Sequence, residues 1–397
     1  MAESTMKFSA RSGRIQESAT LKVARRALEM KAQGIDLADF GAGEPDFESP
    51  RCAIAAAISG LENGFTRYTA AAGIPPLRQA LAARYRSEFH APWTAAEVVV
   101  TVGAKTALFN LCLTLLEAGD EVVLPSPSWV SFAEQIRFVG ARPVPVVTKA
   151  SEGFRIRAEP VLAALTPSTR VVLLNSPSNP TGGMIDARDQ EEIVKVCAER
   201  GIWVISDETY EYFVYDGVEH ASAARLAERF PDTVILVGSF SKTYAMTGWR
   251  VGYAIGPPRV MKALIALQSH STSNPTSFSM LGALAALEGA GSEVQQMIEE
   301  YHVRRDLVTA RLAAMKGVTC VAPQGAFYIF PNVAAHYREG LQGSVAFSEY
   351  LLERARVAVV PGLDFGDDDH IRISFACSQD TLNQGLDRIE FLLCSPH

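Results

Sequence analysis

Lys242 stands among side chains of the types that bind phosphate. Ser239 and Ser241 come just before it, and Arg250 follows eight residues later on a Gly-Trp turn. Hydroxyls and a guanidinium suit a phosphate group. A lysine held next to an apolar core can lose its proton and attack a carbonyl. An amine nucleophile beside a phosphate site indicates pyridoxal phosphate, whose aldehyde forms a Schiff base with lysine.

Apolar runs that lead into polar residues predict the strands that position this chemistry. The run at 234–237 precedes the lysine segment and the run at 251–255 follows it, another leads directly into Asp207, and the run at 171–174 precedes Asn179. Such runs are typical of buried parallel strands, whose carboxyl ends bind ligands in open α/β sheets. A pyridoxal ring needs a carboxylate at its pyridine nitrogen and donors at its phenolic oxygen. Asp207 can supply the first, and Asn179 and Tyr210 the second.

A glycine turn between a strand and a helix predicts an anion site. The apolar run at 98–100 is followed by Gly103, Ala104 and Lys105, which open a helix predicted over 106–116. Backbone N–H groups at a helix start are unpaired, and the positive end of the helix dipole favours anions. We expect the backbone at these three residues to cradle the phosphate.

Two more side chains complete the candidate site. Trp129 follows a short strand predicted at 121–124, where its ring can stack on the pyridine face or simply join the core. Arg372 lies in an apolar strand predicted over 370–375, and a buried guanidinium there requires a carboxylate partner. That partner is either an Asp or Glu of the fold or the α-carboxylate of a substrate, which arginine can bind with two hydrogen bonds.

These stretches, taken in order, resemble one known family. The chain is similar to the class I aminotransferases of the fold-type I pyridoxal-phosphate enzymes, and most of all to their bacterial aspartate aminotransferase-like branch. The resemblance runs from Ser18 to about Phe391. The shared motifs are AGEPDF at 42–47, Tyr68 with AGI at 72–74, TVG at 101–103, SP at 126–127 with WVS at 129–131, NPTG at 179–182, SDE at 206–208, SFSK at 239–242, MTGWR at 246–250, GAFY at 325–328, PG at 361–362 and RIS at 372–374.

The resemblance implies an α/β fold with two domains. A large domain over 46–300 holds a mainly parallel seven-stranded sheet between helices, and its strands include a run at 251–255. A smaller, discontinuous α/β domain combines part of an N-terminal arm, 1–45, with residues 301–397. At 397 residues the chain is long enough for two hydrophobic cores.

The resemblance also implies a role for each candidate residue. The reaction moves an amino group from an L-amino acid to a 2-oxo acid through a Lys242 internal aldimine and a ping-pong pyridoxamine intermediate. Expected catalytic residues are Lys242, Asp207 and Tyr210. Expected cofactor contacts are Gly103, Ala104, Lys105, Trp129, Asn179, Asp207, Tyr210, Ser239, Ser241, Lys242, Arg250 and, from the neighbouring subunit of a homodimer, Tyr68. Expected substrate contacts are the backbone N–H of Gly43, with Trp129, Asn179 and Arg372.

Composition narrows the class of protein. A net charge of −7 and a pI near 5.6 argue against a nucleic-acid or anionic-membrane surface, and no apolar run is long enough for a transmembrane span. The polar first residues lack a secretory apolar core. Six scattered cysteines predict a reducing, cytoplasmic setting, and the histidine and cysteine spacings predict no metal site.

The substrate stays open at this stage. In the family, an arginine of the partner subunit or an N-terminal lysine binds the side-chain carboxylate, and neither stands at the matching place in this chain. The sequence therefore gives less support to aspartate as the preferred substrate. Candidates for the distal part of the substrate pocket are Ile15, Thr20, Lys105, Ser128 and His270.

Three other functions remain to be weighed. A pyridoxal enzyme of the same fold could catalyse elimination, cyclisation or oxidation with the same lysine and ring. A regulator with an aminotransferase-like domain would need a DNA-binding module, and no basic extension is present. A nicotinamide enzyme is excluded because the glycine pair at Gly41 and Gly43 lacks the third glycine of a dinucleotide site.

Overall fold

A seven-stranded sheet forms the centre of the molecule. The structure, a computed structural model, describes residues 8–14 and 19–394, with the side chains of 19–23 left out. Seven of the twelve described strands, β2 to β8, form this sheet. In chain order the strands are β1 Ala38–Asp39, β2 Val98–Thr101, β3 Glu121–Ser126, β4 Arg142–Val147, β5 Thr169–Asn175, β6 Trp203–Asp207, β7 Val234–Ser239, β8 Gly252–Ile255, β9 Tyr328–Ile329, β10 Val357–Ala358, β11 Val360–Pro361 and β12 Ile371–Ser374.

Helices cover this sheet and connect its strands. They are α1 Ala19–Ala32, α2 Arg51–Glu62, α3 Pro75–Phe89, α4 Ala104–Leu115, α5 Val130–Val139, α6 Ala158–Ala163, α7 Ala187–Arg200, α8 Phe240–Thr243, α9 Pro258–Ser269, α10 Ser277–Gly289, α11 Gly291–Ala314, α12 Gly343–Tyr350 and α13 Gln379–Cys394. Among the described helices, none is long and apolar enough to cross a bilayer.

The central sheet is parallel except at one strand. Its order is β2-β8-β7-β6-β5-β3-β4, and β8 runs antiparallel to both β2 and β7. The expectation that the run at 251–255 is a parallel strand is therefore wrong. A parallel neighbour is usually reached through a crossover helix that packs along the face of the sheet. The link between β7 and β8 contains only the four-residue α8 and a short 3₁₀ turn.

Alternate residues of the central strands enter two separate cores. In β5, Val172 and Leu174 join the core on one face, whereas Val171 and Leu173 join the core on the other. This alternation follows from the two-residue side-chain period of a strand, and helices bury both faces. The continuous apolar runs of the sequence are thus explained by a sheet covered on both sides.

A smaller unit combines the two ends of the chain. Strands β9, β12 and β11 form an antiparallel sheet, and β1 pairs in parallel with β10. The apolar run at 358–360 is divided between two sheets, because Ala358 pairs in one and Val360 in the other. Helix α11 crosses the domain boundary predicted at 300/301. The domain limits themselves stay a prediction.

Candidate functional site

A cavity of about 350 Å³ opens at the carboxyl ends of β5, β6 and β7, next to the start of α4. Twelve of the fourteen residues to which the sequence analysis assigned a cofactor or substrate contact line it; Gly103 and Tyr68 do not. Its walls are Gly43, Ala104, Lys105, Trp129, Val130, Phe132, Asn175, Asn179, Asp207, Thr209, Tyr210, Ser239, Ser241, Lys242, Thr247, Arg250, Tyr328, Phe365 and Arg372.

Lys242 projects into this cavity from α8. Its Nζ donates to the carbonyl oxygen of Gly43, in the loop that follows β1. Burial of the ammonium lowers the pKa of Lys242 to about 8; the carboxylate of Glu44 opposes this shift, and the charges of Arg372, Arg250 and Lys105 add to it. A lysine with a pKa this close to neutrality has a usable fraction of neutral amine, as a nucleophile or general base requires.

Asp207 ends β6 at the floor of the cavity and is almost fully buried. Its Oδ1 accepts hydrogen bonds from the backbone N–H and the hydroxyl of Thr209, at 3.1 and 2.6 Å. Burial raises the pKa of Asp207 to about 6, and the charge of Glu208 adds to the shift. A buried carboxylate with so few donors is stabilised by a cation, and a protonated pyridine nitrogen is such a group.

Tyr210 and Asn179 face the cavity as hydrogen-bonding groups. The hydroxyls of Tyr210 and Tyr328 lie 2.9 Å apart, and burial together with the Tyr328 hydroxyl raises the pKa of Tyr210 well above its usual range. Tyr210 therefore stays protonated and can donate. Asn179 accepts from Arg372 through Oδ1 at 3.0 Å. The side-chain Nδ2 of Asn179 makes no hydrogen bond within the described part of the chain, so this donor is available to a ligand.

The start of α4 forms the anion-binding end of the cavity. Gly103 is the N-cap of α4 and has a φ of +77°, which only glycine adopts without strain. A Cβ at this position would lie 2.7 Å from Nη2 of Arg250. The glycine therefore allows the guanidinium to approach the free N–H groups of the first helical turn. Gly103 itself does not line the cavity.

Hydroxyls complete this end of the cavity. Ser239 ends β7, and its Oγ accepts from the backbone N–H of Ser241 at 3.0 Å. Arg250 is held by a hydrogen bond from its Nη1 to the carbonyl oxygen of Thr247 at 2.8 Å. Two hydroxyls, a guanidinium and a helix start offer the donors that a phosphate requires.

Arg372 lies on β12 with 7% of its surface exposed. Its Nη1 and Nη2 donate to Oδ1 of Asn179 and to the carbonyl oxygen of Gly41 at 3.0 and 2.9 Å, and its Nε is buried without a partner. Among the described residues, no carboxylate lies within ion-pair distance. The alternative of a fixed salt bridge inside the fold is thus not observed. A guanidinium buried in this way is stabilised by an anionic ligand.

Arg372 and Lys105 each lie against an aromatic ring. The guanidinium of Arg372 lies over the ring of Tyr328, 4.4 Å from its centroid, and Nζ of Lys105 lies 4.9 Å from the centroid of Trp129. Lys105 is exposed at the mouth of the cavity, and partial burial with the charge of Arg250 lowers its pKa. Trp129 meets Phe132 edge to face. Trp129 also lines the cavity, where a planar group can pack against it.

Several expected residues lie elsewhere or act differently. Tyr68 is 89% exposed and lies outside the cavity of its own chain. Gly43 lines the cavity and accepts from Lys242 through its carbonyl oxygen, and the expected contact of its N–H with a substrate carboxylate stays a prediction. Ser128 lines a neighbouring cavity, and His270 is exposed after α9, outside the site. Ile15 and the side chain of Thr20 lie outside the described residues.

Other lining residues were not singled out from the sequence. Tyr328 lies in the GAFY motif, which was quoted for the family but not assigned to the site. Thr209, Asn175 and Thr247 lie within or next to the quoted stretches, so their positions were open to inference. Phe365 has no such signal, because it reaches the cavity from a turn far away in the chain.

One cluster resembles a metal site but is occupied by ion pairs. Ligand atoms of Glu208, Glu211 and His220 lie within 4.8 Å of one another. Nε2 of His220 lies 2.9 Å from Glu208, and Arg84 binds Glu211 through two nitrogens at 2.8 and 2.7 Å. These pairs hold the segment around Asp207 and account for the cluster.

The charges of the cavity fit pyridoxal phosphate. Four basic residues and one acidic residue line it: Lys105, Lys242, Arg250, Arg372 and Asp207. The helix start and Arg250 suit the phosphate, Lys242 suits the aldehyde and buried Asp207 suits the pyridine nitrogen. The volume and the donor set therefore match this group.

The chain matches known proteins over nearly its whole length. The family described as aminotransferase class I and II covers residues 35–389. An aspartate aminotransferase of Geobacillus stearothermophilus is 41% identical over 97% of this chain and 98% of its own length. One of Bacillus subtilis is 38% identical, again over 97% of this chain and 98% of its own. The structure of the Thermus thermophilus aspartate aminotransferase with maleate is 41% identical, covers 98% of this chain and 100% of that chain, and gives a TM-score of 0.93.

These likenesses confirm the fold-type I architecture and the cofactor expected from the sequence. They extend over both the central sheet and the smaller unit, and each relative named above is an aminotransferase. The chain therefore belongs to the class I and II aminotransferase family and is an enzyme that depends on pyridoxal phosphate.

Proposed function

We propose that this enzyme moves the amino group of a dicarboxylic L-amino acid of the aspartate class to a 2-oxo acid in a ping-pong cycle. The excess of basic side chains in the cavity carries this proposal. Arg250 with the start of α4 accounts for the phosphate, and Arg372 for the α-carboxylate. Lys105 is then left as a further cation at the mouth of the cavity.

The cofactor, when bound, provides the aldehyde and the electron-withdrawing ring that acidifies the Cα proton of an amino acid. In our proposal Asp207 holds the pyridine nitrogen protonated, and Asn179 and Tyr210 donate to the phenolic oxygen. Trp129 stacks on the ring and excludes water. Ser239, Ser241, Arg250 and the backbone of residues 103–105 hold the phosphate.

Lys242 acts as the base that moves the proton. Its Nζ takes the proton from Cα of the bound amino acid, for which a pKa of about 8 is suitable near neutral pH. Arg372, oriented by Asn179, binds the α-carboxylate through two nitrogens. Gly43 lies against Lys242, so the loop that carries it is close to the same carboxylate.

Lys105 is the proposed partner of the side-chain carboxylate. Its backbone belongs to the phosphate end, whereas its Nζ lies beside Trp129 at the mouth. This position favours Lys105 among the candidates for the distal pocket, since neither recognition group usual in the family stands at its matching place in the sequence. The names of the relatives support the same substrate class, as does the Thermus structure with maleate, a dicarboxylate.

We also propose that the active unit is a homodimer. Tyr68 is 89% exposed, as expected for a residue that reaches the phosphate site of a partner. Ile58 and Leu61, at 50% and 46% exposure, line an apolar groove that extends to Thr247 beside the site. All six cysteines are free, which supports a cytoplasmic location.

Replacing Lys105 tests the proposed substrate class. For Lys105→Met we expect kcat/KM to fall about 100-fold with aspartate and to change little with alanine, because only aspartate loses an ion pair. Lys149→Met, at an exposed lysine outside the cavity, is the matched control. Equal losses for both donors would show that Lys105 serves the cofactor instead. Release of ammonia or uptake of oxygen without an oxo acid would favour elimination or oxidation.

A further inference from the structure

A second cavity lies directly beside the first. It measures about 430 Å³ and shares three residues with the site: Trp129, Val130 and Phe365. Because these residues line both spaces, they form the wall between them. We call this second space the outer cavity.

Eight of the fourteen residues that line the outer cavity have apolar side chains. Leu124, Ala133, Pro143, Pro145 and Leu363 line it together with the shared wall. Its three charged members are Glu134, Arg137 and Asp364. Glu134 and Arg137 lie one turn apart on α5 and form an ion pair with each other at 2.6 Å, and the acidic Asp364 disfavours a second carboxylate. An uncharged aryl or alkyl group therefore suits this space better than a second carboxylate.

Phe365 is the firmly held part of the wall. It ends the 3₁₀ turn Gly362–Phe365, is only 3% exposed, and packs edge to face against Phe330 at 6.0 Å. The backbone N–H of Ser128 donates to the Phe365 carbonyl oxygen at 3.0 Å. A ring fixed at the backbone and on one side cannot swing away without loss of these contacts.

Phe365 also lies at the substrate end of the site. The guanidinium of Arg372 is 5.2 Å from the centroid of its ring. An amino acid whose α-carboxylate is bound by Arg372 therefore has its side chain close to this ring. The ring stands between that side chain and the outer cavity.

We propose that Phe365 limits the size of the donor side chain and that, without its ring, the outer cavity becomes a subsite for an aryl group. This inference rests on the proposed aminotransferase cycle and names a further determinant of its specificity. The intact ring keeps the site to donors about as large as aspartate.

The test compares phenylalanine with aspartate as the donor. We expect Phe365→Ala to raise the ratio of kcat/KM for phenylalanine to that for aspartate by about tenfold or more. Phe365→Leu keeps more of the packing and should raise the ratio less. Leu363→Ala is the matched control, because Leu363 lines the outer cavity but not the wall, and we expect it to leave the ratio unchanged.

Inert ligands give a second measurement that does not need turnover. Titration of the holoenzyme spectrum with succinate and with 3-phenylpropanoate should show a gain in relative affinity for 3-phenylpropanoate in Phe365→Ala. An unchanged ratio in a folded variant that retains cofactor would overturn the proposal, as would an equal gain in Leu363→Ala. If the wild type does not transaminate aspartate, the proposed function fails, while these titrations still decide the role of Phe365.

Discussion

Nη1 of Arg372 donates to Oδ1 of Asn179 at 3.0 Å and so joins the smaller unit to the end of β5 in the central sheet. No carboxylate within the described chain neutralises this arginine. The pair therefore fixes a guanidinium in the cavity and leaves its charge for a ligand. A substrate that binds there would tie the two parts of the molecule together.

Arg372→Lys tests whether this geometry matters beyond charge. We expect kcat/KM for aspartate to fall about 100- to 1000-fold, because an ammonium cannot bind Asn179, Gly41 and both oxygens of a carboxylate in one plane. The loss should be seen with every donor, since all share the α-carboxylate. Steady-state kinetics with aspartate and alanine measure it, and an unchanged KM would argue against this role.

Gly103→Ala tests the close approach of Arg250 to α4. The new Cβ would lie 2.7 Å from the guanidinium, so we expect the dissociation constant for pyridoxal phosphate to rise at least about tenfold. Gly201→Ala is the control, because its φ of +68° carries similar strain while nothing lies within 4 Å. Equilibrium titration of the cofactor-free variants compares them. Equal weakening in both would point to backbone strain alone.

Asp207→Asn should stabilise the cofactor-free protein at neutral pH. The folded pKa of about 6 lies above the ordinary value of 3.8, so the native state holds more protons between these values. Stability of the wild type therefore falls as pH rises from about 4 to about 6, by about 3 kcal/mol at most. Asp207→Asn has no ionisable group at this position and therefore lacks this loss of stability.

Urea denaturation at several pH values measures this difference. The two proteins should converge near pH 4 and separate above pH 6, with the variant the more stable. Saturating cofactor should reverse the order, because a protonated pyridine nitrogen pairs with the carboxylate of the wild type. A wild type that is the more stable at pH 7 without cofactor would contradict this account of Asp207.

Tyr68 allows a test of sites shared between two subunits. Chains with Tyr68→Ala and with Lys242→Ala, carrying different tags, can be co-expressed and the mixed dimer purified. If Tyr68 serves its partner, one of the two sites in the mixed dimer is intact, and about half of the wild-type activity is expected. If Tyr68 serves its own chain, activity should not exceed that of one Tyr68→Ala site.

Local patterns predicted most of the site. Asp207, Asn179 and Ser239 each stand at or after the end of an apolar run, and parallel strands bring such ends to one edge of a sheet. The direction of β8 could not be predicted, because an apolar run indicates a buried strand but not whether it is parallel or antiparallel to its neighbours. It follows instead from the short link that precedes it.

Two features required contacts that are distant in sequence. Phe365 reaches the cavity because Ser128 binds its carbonyl oxygen, and no local pattern marks that contact. Lys105 was expected at the phosphate through its backbone and was also one of five candidates for the distal pocket, but only the structure shows its Nζ beside Trp129 at the mouth. The direction of a long side chain depends on tertiary packing, which spacing along the chain does not report.

The most direct test of the central claim is the absorbance spectrum of the holoenzyme treated with L-aspartate in the absence of any oxo acid. We predict that the visible band of the cofactor linked to Lys242 disappears, that the aminated cofactor takes its place, and that one 2-oxo acid forms per site. Lys242→Ala should lack the starting band. A band that persists with aspartate, or that changes only with release of ammonia or uptake of oxygen, would contradict the proposed reaction.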